Sequence, residues 1–206
     1  MTSTGIVRQA GRLLSYHALL LGAWILCAVI LIPSNALAKN AEVDPELRQL
    51  LIEAVNEADS FEDRFDAEVW LLDMSTRLKR YMPSHEERLE LLRLVHKEAV
   101  RTNLAPELVL AVIHVESLFD RFAISIVGAQ GFMQVMPFWL DEIGHPDDNL
   151  MNMKTNLRMG TTILKYYLDM EKGNLSRALA RYNGSLGSNK YPDKVLKVLK
   201  ERWYRN

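Results

Sequence analysis

The chain has 206 residues, enough for one core-bearing domain and an appendage. Apolar residues make up 49% and charged residues 25%, the balance of an ordinary globular protein. A formal net charge of -1, with no Lys/Arg cluster, argues against a dedicated nucleic-acid binder.

Residues 1–38 belong to a different class from the rest. Arg8 and Arg12 give a positive start, Ala18 to Ile32 carries no charge, and Ala36-Leu37-Ala38 offers a small-x-small cleavage site. This is the three-part layout of a secretory signal peptide. The alternative is an uncleaved anchor, but fifteen apolar residues fall short of the ~20 that span a bilayer. Both readings put the functional part outside the cytoplasm. Cys27, the only cysteine, lies in the apolar run and leaves with it. A mature chain then has no thiol, disulfide or cysteine metal ligand, and its formal charge moves from -1 to -3.

Beyond Lys39 the sequence reads as helix and loop. Leu47, Leu50, Leu51, Ala54, Val55 and Ala58 follow helical spacing, and a second helix is expected near Ala67 to Arg80 around Val69, Trp70, Met74 and Leu78. Pro83-Ser84 ends it. Ser84 followed by Glu87 is a capping-box signature, and Leu89, Leu92, Val95 and Ala99 mark the buried face of a third helix. Asn103-Leu104-Ala105 forms a short joint before Pro106, a residue suited to a first helical turn. A soft boundary is placed there, with residues 39–103 a helical extension and 104–206 the chemical domain. The joint is not Gly/Ser-rich, so the two parts are expected to pack together.

Pro106 to Phe119 reads PELVLAVIHVESLF, apolar on every face, which predicts a helix buried all round. Glu116 is therefore out of place. Lost solvation disfavours a carboxylate, so this Glu should hold its proton toward neutral pH, as a general acid must. His114, two residues earlier, should face away and serve the structure. Asp120 to Pro137 then loses periodicity and carries Gly128 and Gly131, predicting a loop with short helical turns. Helices are expected again from Asn152 to Glu171, from Asn174 to Tyr182 with Asn174 as N-cap, and from Pro192 to Trp203. No alternating strand pattern and no fixed-period repeat is present.

Around Glu116 the loop supplies neutral hydrogen-bonding groups in Ser125 and Gln134, and Tyr182-Asn183 closes a later helix before Gly184. Such groups suit a sugar or amide better than a phosphate. Glu116-Ser117, Ser125, Gly128-Ala129-Gln130-Gly131, Met133-Gln134 and Pro137 stand in register with a known signature. The segment resembles the catalytic region of the soluble lytic transglycosylases, whose fold is all-α and goose-type lysozyme-like. Asn156 to Leu168 resembles the family's Asn-x-x-x-Gly helix, and ALARYNGS at 178–185 its Ala-Leu-Ala-x-Tyr-Asn motif. The resemblance covers roughly the C-terminal half. Phe132 replaces the usual Leu, and Gly184-Ser185 the usual Ala-Gly.

That resemblance implies peptidoglycan glycan strands as substrate, in the periplasm or cell envelope. Glu116 would act as the single acid/base. It would protonate the glycosidic oxygen between N-acetylmuramic acid and N-acetylglucosamine, then deprotonate the muramic 6-hydroxyl, which closes on C1 as a 1,6-anhydro sugar. Ser125, Gln134, Tyr182 and Asn183 would orient the sugar, and Met133 and Met136 would shape the cleft. On residue type alone, Tyr182 and the two methionines read equally as core. Ordinary glycosidases use two carboxylates. Asp120, Asp141 and Glu142, the nearest acids on the C-terminal side, sit on no apolar run.

The five histidines show no metal-binding spacing, and neither a nucleophile elbow nor a phosphate loop is present, so no metal or cofactor is expected. Two further readings remain at this point. One is a hydrolytic muramidase on the same fold; the other is a non-catalytic cell-wall-binding module. The sequence names no protein partner in the envelope.

Overall fold

The computed structural model describes residues 49–52, 54, 59–61 and 63–204, all within one compact unit, Val43–Asn206. The expected signal segment, Cys27, and Leu47, Val55 and Ala58 of the first expected helix lie outside the described residues. Seven helices follow in order from Arg64: α1 Arg64–Leu78, α2 His85–Thr102, α3 Pro106–Ser117, α4 Phe138–Ile143, α5 Met153–Met170, α6 Leu175–Tyr182 and α7 Lys190–Val198. A π-helical turn, Leu199–Trp203, continues α7. Among the described residues there is no strand, only the isolated antiparallel bridges Ile124↔Gln130 and Gln130↔Val135.

Local chemistry accounts for most helix starts. Asp63 caps α1 by accepting from the amides of Phe65 at 2.6 Å and Asp66 at 3.1 Å, which starts the helix before the expected Ala67. Ser84 caps α2 through the Glu87 amide at 3.3 Å. Asn152 and Asn174 cap α5 and α6 through the amides of Thr155 and Arg177. Each such cap satisfies a backbone donor that the helix cannot, worth about 1 kcal/mol. Pro106 takes the first position of α3, where its missing N–H costs nothing.

The core is organised around α3. Leu108 to Ile113 are all buried, whichever face of the helix they occupy. One side of α3 packs on α2, another on α7 and the π-turn, while α5 lies across α2 and α6. At about 2 kcal/mol per buried aliphatic side chain, this central helix holds the elements that surround it. The boundary expected near Asn103 is a left-handed turn (φ 53°), and one buried cluster runs through both sides of it, from Trp70 to Trp203. Arg88 is fully buried in α2. It bonds Ser75 Oγ and donates to the carbonyls of Met82 and Pro83, which ties α1 to the turn that follows it.

Two elements depart from expectation. The short helix α4 starts on the terminal proline of the loop, and no periodicity announced it. The last helix starts at Lys190 rather than Pro192, and its final turn widens to a π-turn. That turn places Trp203 where it is buried and still donates from Nε1 to His114 Nδ1 at 3.3 Å.

The contact that places the loop on the fold is made by α5. Asn156 is buried; its Oδ1 accepts from the Met133 amide at 2.8 Å, and its Nδ2 donates to the carbonyls of Gln130 and Leu150 at 2.8 and 2.9 Å. One turn later, a Cβ on Gly160 would fall 2.7 Å from Met133 Cβ, so only glycine lets the loop sit this close. Asn156→Ala is predicted to lower the unfolding free energy by about 3 kcal/mol, since it strands a buried amide and two carbonyls. Urea denaturation of the variant checks this, and a loss within error of zero would contradict it.

Candidate active site

Glu116 occupies the last turn of α3. The two residues after Ser117, Leu118 and Phe119, both take left-handed conformations (φ 51° and 67°), an unfavourable arrangement for bulky side chains. The reversal folds residues 118–137 back over the helix end. It also sends the Phe119 ring into a buried cluster with Tyr81, His114 and Trp203, at centroid separations of 4.9 to 5.9 Å.

The loop builds its shape from small turns. The amides and carbonyls of Gln130 and Val135 exchange bonds at 2.9 and 3.0 Å, and Gly131 donates to the Ala123 carbonyl. Gly131 is left-handed, and a Cβ there would lie 2.6 Å from the Leu150 carbonyl oxygen. Helices clamp what the loop cannot satisfy for itself. Ser117 Oγ donates to the Phe132 carbonyl at 2.9 Å, Tyr182 Oη to the Met133 carbonyl at 2.7 Å, and Asn156 makes the bonds already described.

A cleft of about 430 Å³ opens beside Glu116. Val115, Leu118, Ala123, Ile124 and Val198 give it apolar walls, and Ser117, Ser125 and Gln134 contribute neutral polar groups. Ser125 Oγ accepts from the Ala129 amide at 3.0 Å, which holds it at the turn. Gln134, at φ 49°, donates through Nε2 to the carbonyls of Ala123 and Gly131, and its oxygen accepts no hydrogen bond from the described residues. A sugar hydroxyl or amide N–H can therefore be received there.

Glu116 is partly buried rather than enclosed, since its helix is sealed only as far as Ile113. Burial pushes its pKa above the ordinary carboxylate value. Two groups oppose that shift: a hydrogen bond from Tyr191 and the positive charge of Lys194. Tyr191 Oη donates to Glu116 Oε1 at 2.6 Å from the first turn of α7, and Lys194, one turn further, lines the cleft. The Tyr191 phenol itself is held well above its usual range by burial and by the nearby carboxylate. No second carboxylate lines the cleft among the described residues; Asp120, Asp141 and Glu142 are exposed elsewhere.

The expected site residues thus divide. Glu116, Ser125 and Gln134 share the cleft wall. Met133 is fully buried beneath the loop against Gly160, and the Tyr182 hydroxyl is committed to the loop's backbone. Met136 is half-buried and Asn183, the C-cap of α6, is exposed; neither lines the cleft. His114 belongs to the aromatic cluster, and its edge also reaches the cleft. Tyr191 and Lys194 escaped the sequence reading. The only signal was a tyrosine opening an amphipathic helix, and no spacing rule links it to a residue 75 positions away.

Comparison with known proteins gives one extended match, to the transglycosylase SLT domain over residues 93–200, more than half of the chain. Among solved structures, the 70 kDa soluble lytic transglycosylase of Escherichia coli is 20% identical with a TM-score of 0.43; the alignment covers 73% of this chain and 25% of that one. A complex of the 70-kDa soluble lytic transglycosylase with bulgecin A is 23% identical, with the same coverage and score. An inactive mutant of lytic transglycosylase Slt from Pseudomonas aeruginosa is 21% identical at TM-score 0.42, over 78% of this chain and 32% of that one. The matched part of this chain spans about a quarter to a third of those larger proteins. On the strength of the family match, which takes in Glu116, the loop that covers it and the Tyr191 helix, the chain belongs to the transglycosylase SLT domain family.

Proposed function

We propose that this protein is a lytic transglycosylase, cleaving the β-1,4 bond between N-acetylmuramic acid and N-acetylglucosamine in peptidoglycan and leaving a 1,6-anhydromuramic end. The observation that carries the reading is a single carboxylate, raised in pKa, beside the neutral hydrogen-bonding groups of Ser125 and Gln134 in a cleft that no second acid lines among the described residues. Family membership supports the same reading. The layout of residues 1–38 supports export, with the enzyme working in the bacterial envelope.

The opposed influences on Glu116 match the two proton transfers. Burial favours the neutral form at the start, the form that can protonate the departing glycosidic oxygen. Once it is an anion, the Tyr191 hydroxyl and the Lys194 charge stabilise it until it takes the proton of the muramic 6-hydroxyl. That hydroxyl is the nucleophile: its oxygen bonds to C1 as the C1–O4 bond breaks, and no water is consumed. A hydrolase would need water activated opposite the acid, normally by a second carboxylate. Tyr191 also holds Oε1, which orients the carboxyl toward the cleft. Ser125 and the free oxygen of Gln134 would fix the sugar.

Glu116→Gln should reduce release of anhydro ends from purified peptidoglycan by about 10²- to 10⁴-fold, the range for loss of a general acid/base. Mass analysis of the muropeptides checks this. Ends heavier by one water would establish the muramidase, and full activity in the variant would establish a cleft that binds without catalysis. Tyr191→Phe removes a bond that favours the charged form of Glu116, so the Glu116 pKa should rise further. The alkaline limb of kcat/KM, which reports the protonated acid, should then move to higher pH as the rate falls. An unmoved limb would show that Tyr191 does not act on this carboxyl.

A further inference from the structure

His114 stands where the helix that carries Glu116 meets the turn that ends α7. Both of its ring nitrogens are engaged. Nδ1 meets Trp203 Nε1 at 3.3 Å, and Nε2 meets Tyr81 Oη at 3.2 Å. The indole can only donate, so Nδ1 is the acceptor and Nε2 carries the proton. Tyr81 Oη also accepts from Arg80, whose guanidinium lies 4.5 Å over the Tyr81 ring. The rings of Phe119 and Trp203 flank the imidazole, each with its centroid 5.9 Å away.

A second proton has no place in this arrangement. It would set a donor on Nδ1 against the donor of Trp203, and it would charge a half-buried ring. Three cations act on that ring from the elements around it: Arg80 after α1, Lys194 on α7 and Arg202 in the π-turn. Burial first, and then these charges, hold the His114 pKa below its ordinary value of 6.5. Of the acids, Glu116 shares the cleft with His114, and Glu201 shares a hollow of about 240 Å³ with Arg80, Arg202 and Trp203. By linkage, the packing around a neutral ring is fully favoured above 6.5 and loses ground as pH falls below it. Arg77 still donates to the carbonyls of Arg202 and Tyr204, so proton uptake loosens the π-turn without freeing it.

We propose that His114 is a positioning residue whose uncharged ring keeps α7 seated on the end of α3, so that proton uptake at His114, not at Glu116, sets the acid limit of activity. The inference rests on the lytic transglycosylase reading for its rate measurement and adds a pH-sensitive support outside the reacting atoms. Glu116 starts that reaction protonated, so acid does not remove its active form from the free enzyme. The Tyr191 phenol is also protonated throughout the acid range. What acid removes is the bond from Trp203 to His114. The π-turn that carries Trp203 packs on α3 and continues α7. A shift of α7 would draw Tyr191 Oη away from Glu116 Oε1, now 2.6 Å distant, and would carry Lys194 with it. These are the two groups that steady the Glu116 anion between its proton transfers. His96, held by burial at about 4, is stacked on Phe61 and does not line the cleft.

The test uses the full chain and purified peptidoglycan, with initial rates of anhydro-end release measured at limiting substrate across the acid and neutral range. The native rate should show an acid limb with its midpoint below 6.5. In His114→Gln the side chain can still accept from Trp203 and donate to Tyr81, but it has no proton to gain. Its limb should move down by about one pH unit or more, leaving about tenfold more of the neutral rate at the foot of the native limb. Arg202→Gln removes a cation that acts on the ring, so its limb should move to higher pH. In the native chain, the His114 Cε1–H and Trp203 indole N–H resonances should titrate with one midpoint, matching the limb. An acid limb unmoved in His114→Gln overturns the inference, as does a native rate with no acid limb. So does an indole resonance that ignores the titration of His114. Absence of anhydro ends from the native chain would instead remove the lytic transglycosylase reading, and the shared midpoint would still decide whether His114 holds the π-turn.

Discussion

The site depends on how an irregular segment satisfies its backbone. Residues 118–137 have no helix of their own and only two isolated bridges, so their buried amides and carbonyls need outside partners. Side chains from three helices supply them: Ser117 from α3, Asn156 from α5 and Tyr182 from α6. All three reach residues 130–133, where the chain also passes against Gly160. This fastening sets where Ser125 and Gln134 face the cleft and closes the side of Glu116 that the helix leaves open. Two motifs that look catalytic in the sequence, the Ser of Glu-Ser and the Tyr of Tyr-Asn, spend their hydroxyls on this fastening.

Glu116 is poised by a balance of opposing effects. Burial raises its pKa, while Tyr191 and Lys194 lower it. A carboxyl at the C-terminal end of α3 also faces the negative end of the helix dipole, which again favours the neutral form. In the proposed reaction this group gives a proton and takes one back, which requires neither form to be strongly preferred. Both opposing groups come from α7, so the packing of α7 against α3 sets the acidity of the site. The π-turn extends this control, because Trp203 locks the end of α7 onto His114 two residues before Glu116.

The readings of the sequence that held were local ones. Ser84 and Asn174 cap their helices as expected, Pro106 opens α3, and the residues from Leu108 to Ile113 are buried as their composition requires. Glu116 was legible for the same reason, as a charge at the end of an apolar run. What could not be read was direction. Met133 and Met136 fit a cleft as well as a core by type, and only packing assigns Met133 to the core beneath the loop. The short helix α4 lacks the length to display a period.

The sequence by itself determined the helical class, most helix boundaries, the family resemblance and the place of Glu116 at the end of an apolar run, because periodicity, capping and side-chain solvation act over a few residues. Only the tertiary structure decided what surrounds that acid. The bond from Tyr191 spans 75 residues, and the approach of Lys194 follows from the same crossing of α7 over the end of α3. Such a contact is fixed by how two helix surfaces pack, which no local pattern encodes.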